Sequence, residues 1–178
     1  LDIGTNAFVF TGWVFPPTST TGDQALFGVG DGDHNDGFLI ELKGGGTNWT
    51  IDCGYLGTSN SFATSNGGTA VRGDVQGERW NQIAIYHTGS NIRMYVNGQY
   101  CGQWGDSSVN WTSRWTAQHV SIGARAGNFA GGSSGGGTFC APDTRLSMFR
   151  FGEAYETWSD EMFRMVYEDE KHLFVAGT

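Results

Sequence analysis

The chain has 178 residues, a length that suits a single domain (1–178) able to bury most of its apolar surface. Glycine (29 residues) and aromatic side chains (14%) are abundant while only 16% of residues are charged, which argues against a helical bundle and suits short strands joined by tight turns. A net charge of −8 without any Lys/Arg cluster argues against nucleic acid as partner, and no stretch nears the roughly eighteen apolar residues of a membrane span, so a soluble domain without membrane insertion is expected.

The first predicted strand is Ala7 to Phe15 (AFVFTGWVF), whose aromatic and β-branched run ends where Pro16 and Pro17 forbid further ladder pairing. Ala25 to Val29, Gly37 to Leu42 and Thr50 to Tyr55 follow, each bounded by Gly, Asp, Asn or Thr. Thr58 to Val71 is rich in Ser, Thr, Asn and Gly and is expected to be mostly loop. The strongest local signal is WNQIAIYHTGSNIRMYVNGQYCGQW, Trp80 to Trp104. There Ile83 and Ile85 alternate with smaller or polar neighbours, Thr88 to Asn91 turn the chain, and Ile92, Met94 and Val96 alternate again. Asn97-Gly98 then supplies the positive φ values of a two-residue hairpin loop, so three consecutive antiparallel strands are expected. His119 to Ile122 and Arg145 to Phe151 are two further strands, separated by a Gly/Ser-rich loop, Ala126 to Gly137. Only the C-terminus is predicted helical, from about Ser159 to Lys171: Ser159 is the N-cap, Asp160 and Glu161 complement the positive end of the dipole, and Phe163, Val166 and Tyr167 share a face. Short strands with one terminal helix make a two-sheet antiparallel sandwich of the all-β class.

Cys53, Cys101 and Cys140 lack the close pairing of a zinc or redox motif, and both one disulfide with a free thiol and three buried thiols fit them. Asn48 and Asn110 each open an Asn-Trp-Thr tripeptide, an acceptor for N-glycosylation in a secretory route. The chain opens on Leu1 rather than Met, as an excised domain or a processed product would.

The segments FVFTGWVFP, RWNQIAIYHTGSNIRMYVNGQYCG and VSIGAR, with the closing run from Arg145 to Phe174, resemble the laminin G, pentraxin and concanavalin A-like superfamily over nearly the whole chain. The part around Trp80 and Val96-Asn97-Gly98 is the most specific, and in that family the tryptophan is buried. The resemblance implies a jelly roll with a short C-terminal helix, a binding role, and an extracellular, cell-surface or virion-associated setting. Glycoside hydrolases occur in the same superfamily, so fold alone does not decide activity.

A retaining glycosidase of this fold carries its two carboxylates at alternate positions on one strand, and no Glu-x-Asp-x-Glu or similar pattern is present. Glu168, Asp169 and Glu170 are consecutive on the helix and are expected to form a solvated face. His34, His87, His119 and His172 are dispersed, without HExxH spacing. A non-catalytic module is therefore expected, with a structural or protein-interaction domain as alternative and a glycoside hydrolase or lyase as second alternative.

Asp31, Asp33 and Asp36 in the loop GDGDHNDG make the candidate calcium site, since calcium takes several oxygen ligands from a flexible loop; the same residues also suit an Asp/Asn/Gly turn that caps its own backbone. Where related domains often carry Asp in the closing strand this chain has Ser147, and Asp143 would replace it only with a shift of register. Aromatic rings stack on the apolar faces of sugars. Trp13 and Trp80 lie in strand patterns and are expected in the core, whereas Trp104, Trp111 and Trp115 fall in or beside the polar stretch GQWGDSSVNWTSRWT. Those three, with Trp49 after three glycines, are the candidate ligand-binding residues, and a glycan or glycosylated surface is the expected partner; covering a sheet edge is the other role open to them.

Overall fold

The computed structural model describes residues 7–18, 22–30, 37–45, 47–55, 72–89, 91–105, 119–123 and 140–174. Among the described residues there are ten strands: β1 (Phe8–Phe15), β2 (Gln24–Gly30), β3 (Gly37–Gly45), β4 (Asn48–Tyr55), β5 (Arg72–Gln76), β6 (Asn81–His87), β7 (Asn91–Val96), β8 (Gln99–Gly105), β9 (His119–Ile122) and β10 (Arg145–Glu153). They form two antiparallel five-stranded sheets, ordered β10-β1-β6-β7-β8 and β5-β4-β3-β2-β9, which make the expected jelly-roll sandwich. Every predicted strand occurs. The unforeseen strand is β5, whose sequence RGDVQ offers a single large apolar residue, Val75, and so no alternation to detect.

Alternation decides which side chains meet between the sheets. Phe8, Phe10 and Val14 of β1 point inward with Ile83 and Ile85 of β6 and with Ile92, Met94 and Val96 of β7. They pack against Leu26, Val29, Phe38, Ile40, Leu42 and Ile51 of the other sheet. The ladder between β1 and β10 slips by one residue between Thr11 and Trp13, and Met148 takes a left-handed φ of 51° there. The Phe149 ring occupies the space above Gly12: a Cβ on Gly12 would lie 2.3 Å from Phe149 Cδ1, and that ring is itself set edge-on to Phe10 at 5.1 Å. Gly12→Ala is expected to cost about 1–3 kcal/mol through overpacking, measured by urea denaturation. An unchanged midpoint would show that Phe149 swings away freely.

The outer face of the β1-containing sheet is covered by α1 (Asp160–Glu170), which continues into a 3-10 turn, Lys171–Leu173. Ser159 caps it as expected, its hydroxyl accepting from Met162 N at 3.3 Å. Phe163 is fully buried and stacks on Tyr95 at 4.1 Å, beside Ala84 and Tyr86. The Tyr95 hydroxyl donates to Asp160 Oδ1 at 2.7 Å; burial first, then the Asp160 carboxylate, pushes its pKa up. Trp13, fully buried, stacks on Tyr167 and Phe174 and donates its indole N–H to Glu170 Oε2 at 2.7 Å.

Glu170 thereby corrects one expectation. It is buried beneath the helix, where it accepts from Trp13 and Gln82 and pairs with Arg150. Counted from Phe163 it falls seven residues on, in the stripe of Val166 and Tyr167 rather than on a solvated face. Glu168 does face solvent and pairs with Lys171 at 2.7 Å. Trp80 also differs from the strand position expected of it: it precedes β6, half-buried, with its ring against Phe15 and Phe174.

Candidate functional site

Strand pairing brings several chain segments to one end of the sandwich. Phe8, at the start of β1, pairs with His87 and with Glu153, and its ring meets Phe38 of the opposite sheet at 5.2 Å. From His87 the ladder continues to Ile92 and from Ile92 to Trp104. From Phe38 it continues to Tyr55 and to Val29, and the neighbouring Gly30 pairs with both Gly37 and His119. The chain therefore leaves β2 at Gly30 toward Asp31, Asp33 and Asp36, and leaves β8 at Gly105 toward Trp111 and Trp115, from this same end. It also re-enters β9 there, at His119.

Asp31, Asp33, Asp36, Trp111 and Trp115 themselves lie outside the described residues, as do the predicted loops over Thr58 to Val71 and Ala126 to Gly137. The backbone of Trp104 is the last but one position of β8, opposite Ile92. Trp49 requires a correction: it is 1% exposed, packed in the core between the sheets, and its indole N–H donates to the Pro17 carbonyl at 3.1 Å, so neither ring face is open to a sugar. Its position in β4, where alternation points it inward, outweighs its glycine-rich flank. Ser147 lies opposite Trp13, and Asp143 precedes Arg145, which lies opposite Phe15. Both therefore sit toward the other end of β10 from Glu153, away from the end at which β2 stops at Gly30.

The three cysteines are free thiols. Burial, with the neighbouring Asp52 charge, pushes Cys53 up; burial alone pushes Cys140 up to about 12; and burial is the leading cause of the rise at Cys101. Protonated thiols are neither nucleophiles nor metal ligands. Among the described residues no group of three or more His, Cys, Asp or Glu is arranged to hold a metal ion, and no helix is long and apolar enough to cross a membrane.

The outer face of the second sheet carries a small apolar pair, Ala25 and Leu39, beside charged residues. Glu41 of β3 lies directly opposite Asp52 of β4, and both are buried. Lys43 bridges from Glu41 (3.6 Å) to Asp23 (3.2 Å). Opposed residues of adjacent strands hold their Cβ atoms about 5 Å apart. A search for carboxylates along single strands misses such a pair, because only the register between strands reveals it.

A family model described as the concanavalin A-like lectin/glucanases superfamily matches residues 1–138. The chain belongs to this superfamily. Comparison with curated proteins finds no match. Among solved structures, this concanavalin A-like domain is similar to a heptameric SAP-like pentraxin from Limulus polyphemus, with TM-score 0.60 and 13% identity over 91% of this chain and 71% of that one. It is also similar to the CBM40 of a Ruminococcus gnavus IT-sialidase bound to α2,3 sialyllactose, with TM-score 0.59 and 16% identity over 92% and 84% of the two chains. A third is the binding domain of botulinum neurotoxin serotype D, with TM-score 0.58 and 9% identity, where 93% of this chain spans 38% of the toxin domain. At such identities the likeness speaks for the fold; the CBM40 and the toxin domain are named for binding.

Proposed function

We propose that this lectin/glucanase-fold domain is a non-catalytic glycan-recognition or adhesion module of an extracellular, cell-surface or virion protein. Its ligand is held at the end of the sandwich marked by Phe8, Gly30 and Gly105. The observation that supports this reading is the shared origin of the two loops: ladder pairing sets the departure points of the tryptophan-bearing and the aspartate-bearing segments at one end, on different sheets. Rings of Trp104, Trp111 and Trp115 would stack on sugar faces, and calcium on Asp31, Asp33 and Asp36 would order the segment between β2 and β3. The sialyllactose bound by the CBM40 relative, and the two ganglioside molecules named for botulinum neurotoxin type C, support a glycan as the ligand class.

Glycan-array screening with and without a chelator tests this. Trp111→Ala with Trp115→Ala is expected to weaken binding about 10- to 100-fold, the equivalent of about 1–3 kcal/mol for two lost stacking contacts. Chelation is expected to weaken it as well. Absence of binding to any sugar, or wild-type binding by the double variant, would overturn the reading. The Glu41 and Asp52 pair keeps glycoside hydrolysis as a second reading, since a retaining mechanism needs two neighbouring carboxyl groups and these two are opposed across one ladder. Against it, both carboxylates are shut off from solvent and Glu41 is bridged to Lys43. Polysaccharide turnover that disappears in Glu41→Gln would replace the binding module with an enzyme.

A further inference from the structure

A cleft of about 470 Å³ opens on the outer face of the β1-containing sheet, where α1 leaves part of β1 and β10 uncovered. Its volume falls in the range of small-molecule sites, roughly 300–1,000 Å³. Val9 on β1, Val166 on α1 and Trp158 before the helix supply apolar walls. The floor is open at Gly152, where an added Cβ would meet nothing within 4 Å. Glycine inside a strand weakens it and marks places where another group approaches the backbone closely.

At one end stands Arg150. Its guanidinium is paired on one side with Glu170, and Glu170 is fixed in turn by the Trp13 indole N–H at 2.7 Å and the Gln82 amide at 3.5 Å. A guanidinium has five donors in a rigid fork, and this side chain is 51% exposed, so N–H groups beyond those engaged by Glu170 remain for a ligand. The anchored Glu170 holds the fork in place before any ligand arrives, which reduces the side-chain entropy lost on binding. Exposed Glu153 at the rim opposes a second negative charge.

We propose that this cleft binds a free monocarboxylate with an apolar body of medium chain length. The carboxylate would complete Arg150, and the chain would lie over Gly152 against Val9, Val166 and Trp158. The proposal does not depend on glycan binding at the loop-bearing end.

Saturation-transfer NMR with octanoate, and with octylammonium as the charge-reversed control, tests it. Octanoate is expected to bind saturably and about tenfold or more tightly than octylammonium. Gly152→Leu, which fills the open floor, is expected to abolish octanoate binding while leaving the thermal midpoint and the glycan-array profile as in the wild type. Arg150→Gln, measured in parallel, is expected to level the two amphiphiles. No octanoate binding, equal affinity for the two probes in the wild type, or undiminished binding by Gly152→Leu would each overturn the proposal.

Discussion

Trp13→Ala is expected to destabilise the domain by about 3–5 kcal/mol, the range for removing a fully buried aromatic ring. The effect has three sources at one position. The cavity lies between β1 and the C-terminal elements, where the indole stacks on Phe174 at 4.5 Å and on Tyr167 at 5.8 Å. The indole N–H to Glu170 is lost, leaving a buried carboxylate with one donor fewer. The helix then loses its principal attachment at that end. Trp13→Phe retains much of the ring contact but not the donor, and is expected to cost about 1–3 kcal/mol. Urea denaturation of the two variants separates packing from hydrogen bonding, and limited proteolysis near Trp158 reports whether α1 has come loose. If both variants melt with the wild type, α1 is not held through Trp13.

Most of the sandwich was legible because its strands announce themselves locally. Ile83, Ile85, Ile92, Met94 and Val96 alternate as strands with one buried face must, and each one lies in the core. Where legibility failed, the deciding information was non-local. Arg72 to Gln76 joins a sheet because Trp49 and Ile51 of β4 lie beside it, not because RGDVQ favours a strand. The acidic neighbours of Glu170 suggest solvent, although its helical stripe with Phe163, Val166 and Tyr167 points inward. The glycines before Trp49 suggest a ligand-facing loop, although its place in β4 points it at the core. The residues proposed to touch ligand could be chosen from composition, whereas the common end at which β2 and β8 stop required the register of both sheets. The Glu41 and Asp52 pair has no signature along the chain at all, since the two residues are joined only by the ladder between β3 and β4.

Gly98 shows both kinds of information at a single residue. Its conformation was legible: Asn97 and Gly98 take φ of 51° and 72°, the left-handed pair that a two-residue hairpin loop between β7 and β8 demands. Its second role was not. A Cβ on Gly98 would lie 2.9 Å from Tyr167 Cβ and 3.2 Å from Arg164 Cα, so the glycine is also where α1 approaches the sheet. These are backbone and Cβ atoms that no rotamer change can move, and the helix is held nearby by the Phe163 ring on Tyr95. Gly98→Ala is therefore expected to cost about 2–4 kcal/mol, combining about 1–2 for the left-handed φ with about 1–2 for displacing the helix. Gly22→Ala supplies the reference, because Gly22 has φ of 102° but an added Cβ there meets nothing within 4 Å. Its cost should be the backbone part alone. Equal losses for the two variants, measured by chemical denaturation, would mean that α1 shifts without penalty and that the turn alone requires glycine. A larger loss at Gly98, accompanied by a change in the Tyr95 environment, would show the hairpin loop and the helix docking through the same missing side chain.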